Sequence, residues 1–306
     1  MTEFDVVGFG ALNVDKLFKV NKIAGREEES FIVKSKESCG GSAANTIVGL
    51  ARLELKTGYI GKVADDREGR LLLNDFKKEN VDTNEVIVAK GGRSGIVMGF
   101  VDRGGGRALY VAPGVNDTID LEEVGAEYVR RTTLFHLTSF VGEKSFESQK
   151  KLVGQLPEPA KVSFDPGMLY AKRGLSALRP IIKRVFVMFP NEIELNLLTD
   201  KEYEDGAKIL IAEGVKVVAI KLGRNGCFVT DGKESHVVEP FKVKAVDTTG
   251  AGDAWNAGFL YGLIKNKSLW ECGKLGNFVA SRCITKMGAR TGLPRLADLH
   301  ESGISL

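Results

Sequence analysis

Apolar residues gather in short runs separated by stretches of helical periodicity. Runs rich in Val, Ile or Phe fall at 4–9, 57–63, 133–138, 161–165, 185–189 and 216–222, each the length of a buried strand. Between them, apolar residues recur on one helical face, as Ala43, Ile47, Leu50 and Ala51 do within 43–54. The same periodicity predicts helices over 68–79, 145–153, 193–198, 202–213, 252–265 and 268–286. Strands that alternate with helices predict an α/β fold, a three-layer α/β/α arrangement with a mostly parallel central sheet.

Two segments break this rhythm. Residues 14–38 and 94–112 alternate apolar and polar positions, as in Ile96-Val97-Met98-Gly99-Phe100-Val101 and Arg107-Ala108-Leu109-Tyr110-Val111. Asp102-Arg103-Gly104-Gly105-Gly106 between the latter two runs is a hairpin turn signal. Both segments predict antiparallel strands outside the parallel core, a small β-sheet lid inserted into one domain spanning 1–306. No internal repeat and no long linker argues for further division.

A net charge of +3 with scattered basic residues gives no nucleic-acid surface. No apolar run approaches the roughly 18 residues of a membrane span. The four cysteines, Cys39, Cys227, Cys272 and Cys283, lie far apart without metal-ligand spacing. The chain enters an apparent strand at Phe4 without an apolar leader, so a cytoplasmic protein is expected.

The candidate chemistry concentrates in Asp247-Thr248-Thr249-Gly250-Ala251-Gly252-Asp253, which runs into a helical pattern. A helix N-terminus presents unpaired N–H groups and a partial positive charge, so it holds anions. Asp253 in that first turn sets a proton acceptor beside the anion site, although a helix-capping role explains it equally well. No G-x-x-x-x-G-K-[ST] occurs, and Gly8-Phe9-Gly10 lacks the third glycine of a dinucleotide fingerprint, Asn13 standing in its place.

Three further clusters each carry a structural and a functional reading. Gly40-Gly41-Ser42-Ala43-Ala44-Asn45 opens a helix, and its glycines also permit close approach to a ligand that Asn45 would bond. Asn13 and Asp15 follow the first strand, where α/β sheets bind ligands and where turns also form. Pro190-Asn191-Glu192-Ile193-Glu194 has the form of a capping box; alternatively, Asn191 and Glu194 organise hydrated Mg²⁺.

Taken together and in this order, these clusters resemble the ribokinase-like (PfkB) carbohydrate kinases across nearly the whole chain. Arg93 to Asn116, Lys221-Leu222-Gly223 to Gly226, Asn277 and Lys286-Met287-Gly288-Ala289 extend the match. The resemblance implies an ATP-dependent kinase acting on a hydroxyl of a small sugar, with a nucleoside kinase or a silent binding protein of the same fold as alternatives. It implies Asp253 as the base and the N–H groups of Gly250, Ala251 and Gly252 as the anion hole. Asn13, Asp15, Gly40, Gly41, Asn45 and Asn116 would face the acceptor.

The nucleotide would lie against Asn191, Lys221, Gly223, Gly226 and Asn277, with Mg²⁺ held through water by Asn191 and Glu194. Asp247, Thr249 and Gly288 match parts of a monovalent cation site, for K⁺. Thr is usual at the position of Lys221 and Phe at that of Trp255, the latter change being read as packing. Arg93 and Arg107 are read as solvated lid charges. Exposed lid edges allow a homodimer.

Overall fold

The computed structural model describes residues 3–301 apart from Gly105 and Glu158. The first half of the chain contains β1 (Phe4–Phe9), β2 (Asn13–Val20), β3 (Ile32–Gly40), α1 (Ser42–Arg52) and β4 (Thr57–Ala64). It continues through α2 (Arg67–Lys78), β5 (Asp82–Ala89), β6 (Gly95–Val101) and β7 (Arg107–Ala112). Next come α3 (Ala126–Arg130), β8 (Thr132–Thr138), α4 (Glu143–Gln155), β9 (Lys161–Asp165), α5 (Gly167–Ala171) and α6 (Leu175–Ile182). Then follow β10 (Val185–Met188), α7 (Glu192–Thr199), α8 (Tyr203–Ala212), β11 (Val217–Lys221), β12 (Cys227–Thr230) and β13 (Ser235–Val238). The chain closes with α9 (Ala251–Ile264), α10 (Leu269–Cys283) and α11 (Leu296–Glu301).

Among the described residues nine strands form the main sheet, in the order β13-β12-β11-β10-β9-β8-β1-β4-β5. Every pair from β11 to β5 is parallel, and β12 and β13 extend the sheet antiparallel. Alternate side chains of each strand enter two separate cores. Val217 and Ala219 of β11 join the core that α1, α9 and α10 cover. Val218 and Ile220 join the one beneath α4, α6 and α8. Burial on both faces is why the inner strands are rich in Val, Ile, Leu and Phe, each buried Val or Ile contributing about 1.5–3 kcal/mol. The three-layer expectation holds.

The second sheet is the lid, ordered β3-β2-β6-β7. Its outer pairs are antiparallel as expected, but the central pair β2/β6 is parallel. The reason is topological. β1 and β5 run parallel in the main sheet, so the chain leaves both at the same end and the first lid strands set off in one direction. Asp102 closes the β6–β7 turn by accepting the Gly106 N–H at 2.8 Å; Gly105, part of the expected turn, lies outside the described residues. No helix among the described residues is long and apolar enough to cross a membrane.

Candidate active site

The carboxyl ends of β1, β8, β9 and β11 meet the N-termini of α1, α7 and α9 beneath the lid, where open α/β sheets bind ligands. Helix α9 begins at Gly250, whose φ of 77° is left-handed and whose side chain, had it one, would stand 2.5 Å from the Ala289 Cβ. Only glycine suits that position. No side chain caps the helix. The Ala251 N–H is taken up by the Thr248 carbonyl at 3.1 Å. The expected three-donor hole is therefore corrected: among the described residues, Gly250 and Gly252 keep N–H groups without an acceptor, and Ala251 supplies the turn.

Asp253 stands in the first turn of α9 and is partly buried. Ser42 Oγ donates to one carboxylate oxygen and Asn45 Nδ2 to the other, the latter at 2.8 Å. Thr46 Oγ1 fixes the Asp253 carbonyl at 3.2 Å, so α1 and α9 present the carboxylate jointly. Burial pushes the Asp253 carboxyl up to about 6, against the two hydrogen bonds, with Asp165 adding to the rise and Lys221 opposing it.

The acceptor side is built on β2 and the start of α1. Gly41 has φ 102°, and a side chain there would strike the Ala11 carbonyl. A side chain at Gly40 would collide with the Asp15 carboxylate, so this glycine makes room for that acid. Asp15 is partly buried, and its carboxylate accepts no hydrogen bond among the described residues. Burial lifts its carboxyl to about 6 against the charges of Arg290 and Arg107. Asn13 lies beside it at the start of β2.

Three asparagines have roles other than the expected ones. Asn116 is 1% exposed; it accepts the Leu12 N–H at 2.9 Å and donates to the carbonyls of Leu12 at 2.8 Å and Pro113 at 3.0 Å and to Asn13 Oδ1 at 3.1 Å. It straps the 12–13 loop, with both amide hydrogens directed at protein oxygens. Asn277 donates to the Val238 and Glu239 carbonyls at 3.0 Å each and accepts Trp255 Nε1 at 2.8 Å. It is a buried brace whose amide hydrogens are both taken by protein carbonyls. Trp255 stacks on Phe259 and meets Phe189 edge-on, as the packing reading expected. Asn45 bridges Asp253 to Arg290, whose Nε donates to Asn45 Oδ1 at 2.8 Å. Its amide therefore orients the acid.

On the nucleotide side, Lys221 Nζ donates to Asp165 Oδ2 at 2.6 Å and to Asn256 Oδ1 at 3.5 Å, and lies beside Gly252. Burial works against this ammonium, yet Asp165, Glu194 and Asp253 hold it above its ordinary value. Asp165 is held below the usual carboxylate range, in spite of burial, by Lys221 and Asn256. Gly223 has φ 58° and open space above it, whereas a side chain at Gly226 would meet the Val238 carbonyl.

The capping box is present. Asn191 Oδ1 accepts the Glu194 N–H at 2.9 Å, and Glu194 Oε2 accepts the Asn191 N–H at 2.9 Å. Glu194 Oε1 keeps no protein partner among the described residues. Burial and the neighbouring Asp165 raise the Glu194 pKa. Asp247 accepts the Thr249 and Gly288 N–H groups on separate oxygens, at 2.9 and 2.8 Å. Among the described residues no cluster of three or more acidic, His or Cys side chains is set to hold a metal directly.

Sequence reasoning missed Ser42, Asp165, Asn256 and Arg290. Asp165 carried a signal, since it ends a buried strand at the ligand-binding edge. Asn256 stands one helical turn after Asp253. Ser42 and Arg290 are recognisable only from what they touch.

The comparisons agree with this architecture. Over 287 residues the chain is 31% identical to an ATP-dependent ribose-1-phosphate kinase of Halopiger xanaduensis, covering 94% of each. An uncharacterized sugar kinase of Archaeoglobus fulgidus is 50% identical over 254 residues, 82% of this chain and 100% of that one. The fold superposes on a ribokinase of Thermotoga maritima with a TM-score of 0.88 at 24% identity, covering 97% of this chain and 98% of the other. Residues 4–296 match the family described as pfkB family carbohydrate kinase. The chain belongs to the pfkB family of carbohydrate kinases.

Proposed function

We propose that this protein transfers the γ-phosphoryl group of ATP to a hydroxyl of a small sugar, with Asp253 as the base. The observation that carries the reading is the pairing of Asp253 with the uncapped N-terminus of α9. With a carboxyl near 6, about nine in ten Asp253 side chains are ionised at pH 7. Ser42 and Asn45 aim that carboxylate at the acceptor hydroxyl, which it orients and whose proton it receives late in a loose phosphoryl transfer. The free N–H groups of Gly250 and Gly252 face the charge that develops on the phosphoryl oxygens, each contributing about 3 kcal/mol. Asn13 and Asp15 grip the acceptor, and lid closure excludes water.

The nucleotide lies along Gly223 to Gly226, where the open left-handed glycine leaves room. Mg²⁺, bound with ATP, neutralises phosphate charge. Glu194 and Asn191 fit it through water, because a buried carboxylate with one oxygen unpartnered gains from a nearby cation. A monovalent cation such as K⁺ would rely on carbonyl groups around Asp247, Thr249 and Gly288, since both Asp247 oxygens are occupied by N–H donors. An ATP-using kinase also suits a cytoplasmic location.

A sugar fits better than a nucleoside. Phe18 stacks on Phe100, and Phe100 meets Tyr110, all on the lid face opposite Asp15 by register. The part of that face beyond the Lys16–Glu68 and Arg67–Glu37 pairs with α2 is open to a second copy of the chain, and a homodimer through it is expected in a sizing measurement. The test of the reading is Asp253→Asn. ADP release should fall at least a thousandfold while calorimetry still detects ATP binding. Wild-type turnover in that variant would remove Asp253 from the mechanism.

A further inference from the structure

The inner face of the lid carries an unneutralised set of basic side chains. Along β2, alternate residues share a face, so Asp15, Leu17 and Lys19 point the same way. Register places Lys36 opposite Leu17, and Lys34 and Val101 opposite Lys19. Arg107 in turn pairs with Val101, so it shares this face. Lys19, Lys34, Lys36 and Arg107 therefore stand with Asp15 on one side of the sheet. All four border a cavity of about 800 Å³ whose opposite wall is Ala245–Thr249 and Met287, the segment that leads into the Gly250 turn.

None of these four cations meets a carboxylate among the described residues. Lys36 donates only to the Met287 carbonyl, at 2.8 Å. The two acids on the cavity wall are occupied elsewhere, Asp247 by the Thr249 and Gly288 N–H groups and Asp102 by that of Gly106. The other lid face is the reverse. There Lys16 pairs with Glu68 at 2.8 Å and Arg67 with Glu37 at 2.6 Å. Those partners come from α2, and no carboxylate among the described residues plays the same part for the four cations over the cavity. The Arg107 charge reaches both Asp15 and Asp247, so it acts across the cavity.

We infer that the acceptor carries its own anionic group, a phosphate or a carboxylate on a sugar, which Arg107, Lys34 and Lys36 receive. The inference rests on the phosphoryl-transfer reading above. The polyphosphate of ATP is the other source of the same chemistry. Asp15 decides for the acceptor, because it belongs to the same face as the basic row. One pair of residues along a strand spans about 7 Å, so Lys36 stands one such step beyond Asp15, about the length of a small phosphosugar.

The test measures ADP release with ATP and Mg²⁺ on ribose, fructose, ribose 5-phosphate, ribose 1-phosphate and 2-keto-3-deoxygluconate. The best anionic acceptor should exceed every neutral sugar at least tenfold in kcat/KM. Arg107→Ala and Lys34→Ala should each raise the KM of that acceptor at least tenfold and leave the KM of ATP within twofold. Preference for a neutral sugar would overturn the inference, and so would a rise confined to the KM of ATP. If no acceptor supports turnover, the kinase reading falls by itself. Calorimetry then decides the anion site. Binding of ribose 5-phosphate but not ribose, lost in Arg107→Ala, upholds it, and equal binding of both sugars sinks it.

Discussion

Replacing Ser42 by alanine asks whether the proton affinity of Asp253 is set by its two donors. Burial lifts that carboxyl to about 6, and the Ser42 and Asn45 bonds limit the rise. A hydrogen bond to an ionised group contributes about 1.5–3 kcal/mol, and about 1.4 kcal/mol corresponds to one pKa unit. Ser42 is exposed, so water takes over part of the lost bond and the lower end applies. The carboxyl should rise by about one unit. Activity needs the ionised form, which is lost as pH falls through the folded pKa. At pH 7 the ionised fraction drops from about nine in ten to about one half. Initial rates of ADP release from pH 5 to 9, at subsaturating acceptor, report the free enzyme through kcat/KM. The acid limb should move from near pH 6 to near pH 7 with the alkaline plateau kept within about twofold. A limb that stays in place while the plateau falls would refute this account of Ser42.

Two other substitutions test the glycine turn and the acceptor acid. Gly250→Ala forces a side chain into a left-handed backbone, at about 1–2 kcal/mol, and against Ala289, at about 1–3 kcal/mol of overpacking. Urea unfolding should show a loss of roughly 2–5 kcal/mol, and an unchanged midpoint would mean the turn is not held as described. Asp15 has its carboxyl raised to about 6, so the folded protein keeps a proton that the unfolded chain releases near 4. Stability therefore falls as pH rises through that window. Asp15→Asn should remove the penalty at pH 7.5, a gain on the order of 1 kcal/mol or about 1–2 °C in Tm, while the acceptor KM rises at least tenfold. A lower Tm would show that Asp15 has a stabilising partner.

The parts of the fold legible in the sequence are those with a one-dimensional signature. β1, β4, β8, β9, β10 and β11 were visible because burial on both faces fills them with Val, Ile, Leu and Phe, interrupted by buried polar residues such as Lys62, His136 and Ser163. β5 escaped notice because it is an edge strand whose first half, Asp82-Thr83-Asn84-Glu85, is polar. β12 and β13 are four residues each, too short for periodicity to separate from a loop. The alternation in the lid disclosed strands but not their partners, which depend on where the chain leaves the main sheet.

The site divides along the same line. A glycine turn before a helical acid is a local pattern, so Gly250 and Asp253 could be picked out without coordinates. Asparagine gives no such certainty. Its amide both donates and accepts, which suits a ligand contact and a cross-loop brace equally, and only burial separates the two. Asn116, Asn277 and Asn45 are 1%, 6% and 5% exposed, and each has bonds to protein on both ends of its amide. Lys221 shows the same limit. The resemblance placed it against the nucleotide, but its shortest bond, to Asp165, a residue 56 positions away, could not be read along the chain. That pairing has a consequence for the charge of the site. With Lys221 committed to Asp165, Glu194 and Asp253 are left as carboxylates without a cationic partner, and both are shifted upward. Under the phosphoryl-transfer reading proposed above, a centre that would receive a triphosphate is thus acidic on its own, a physical reason for a divalent cation to accompany the nucleotide.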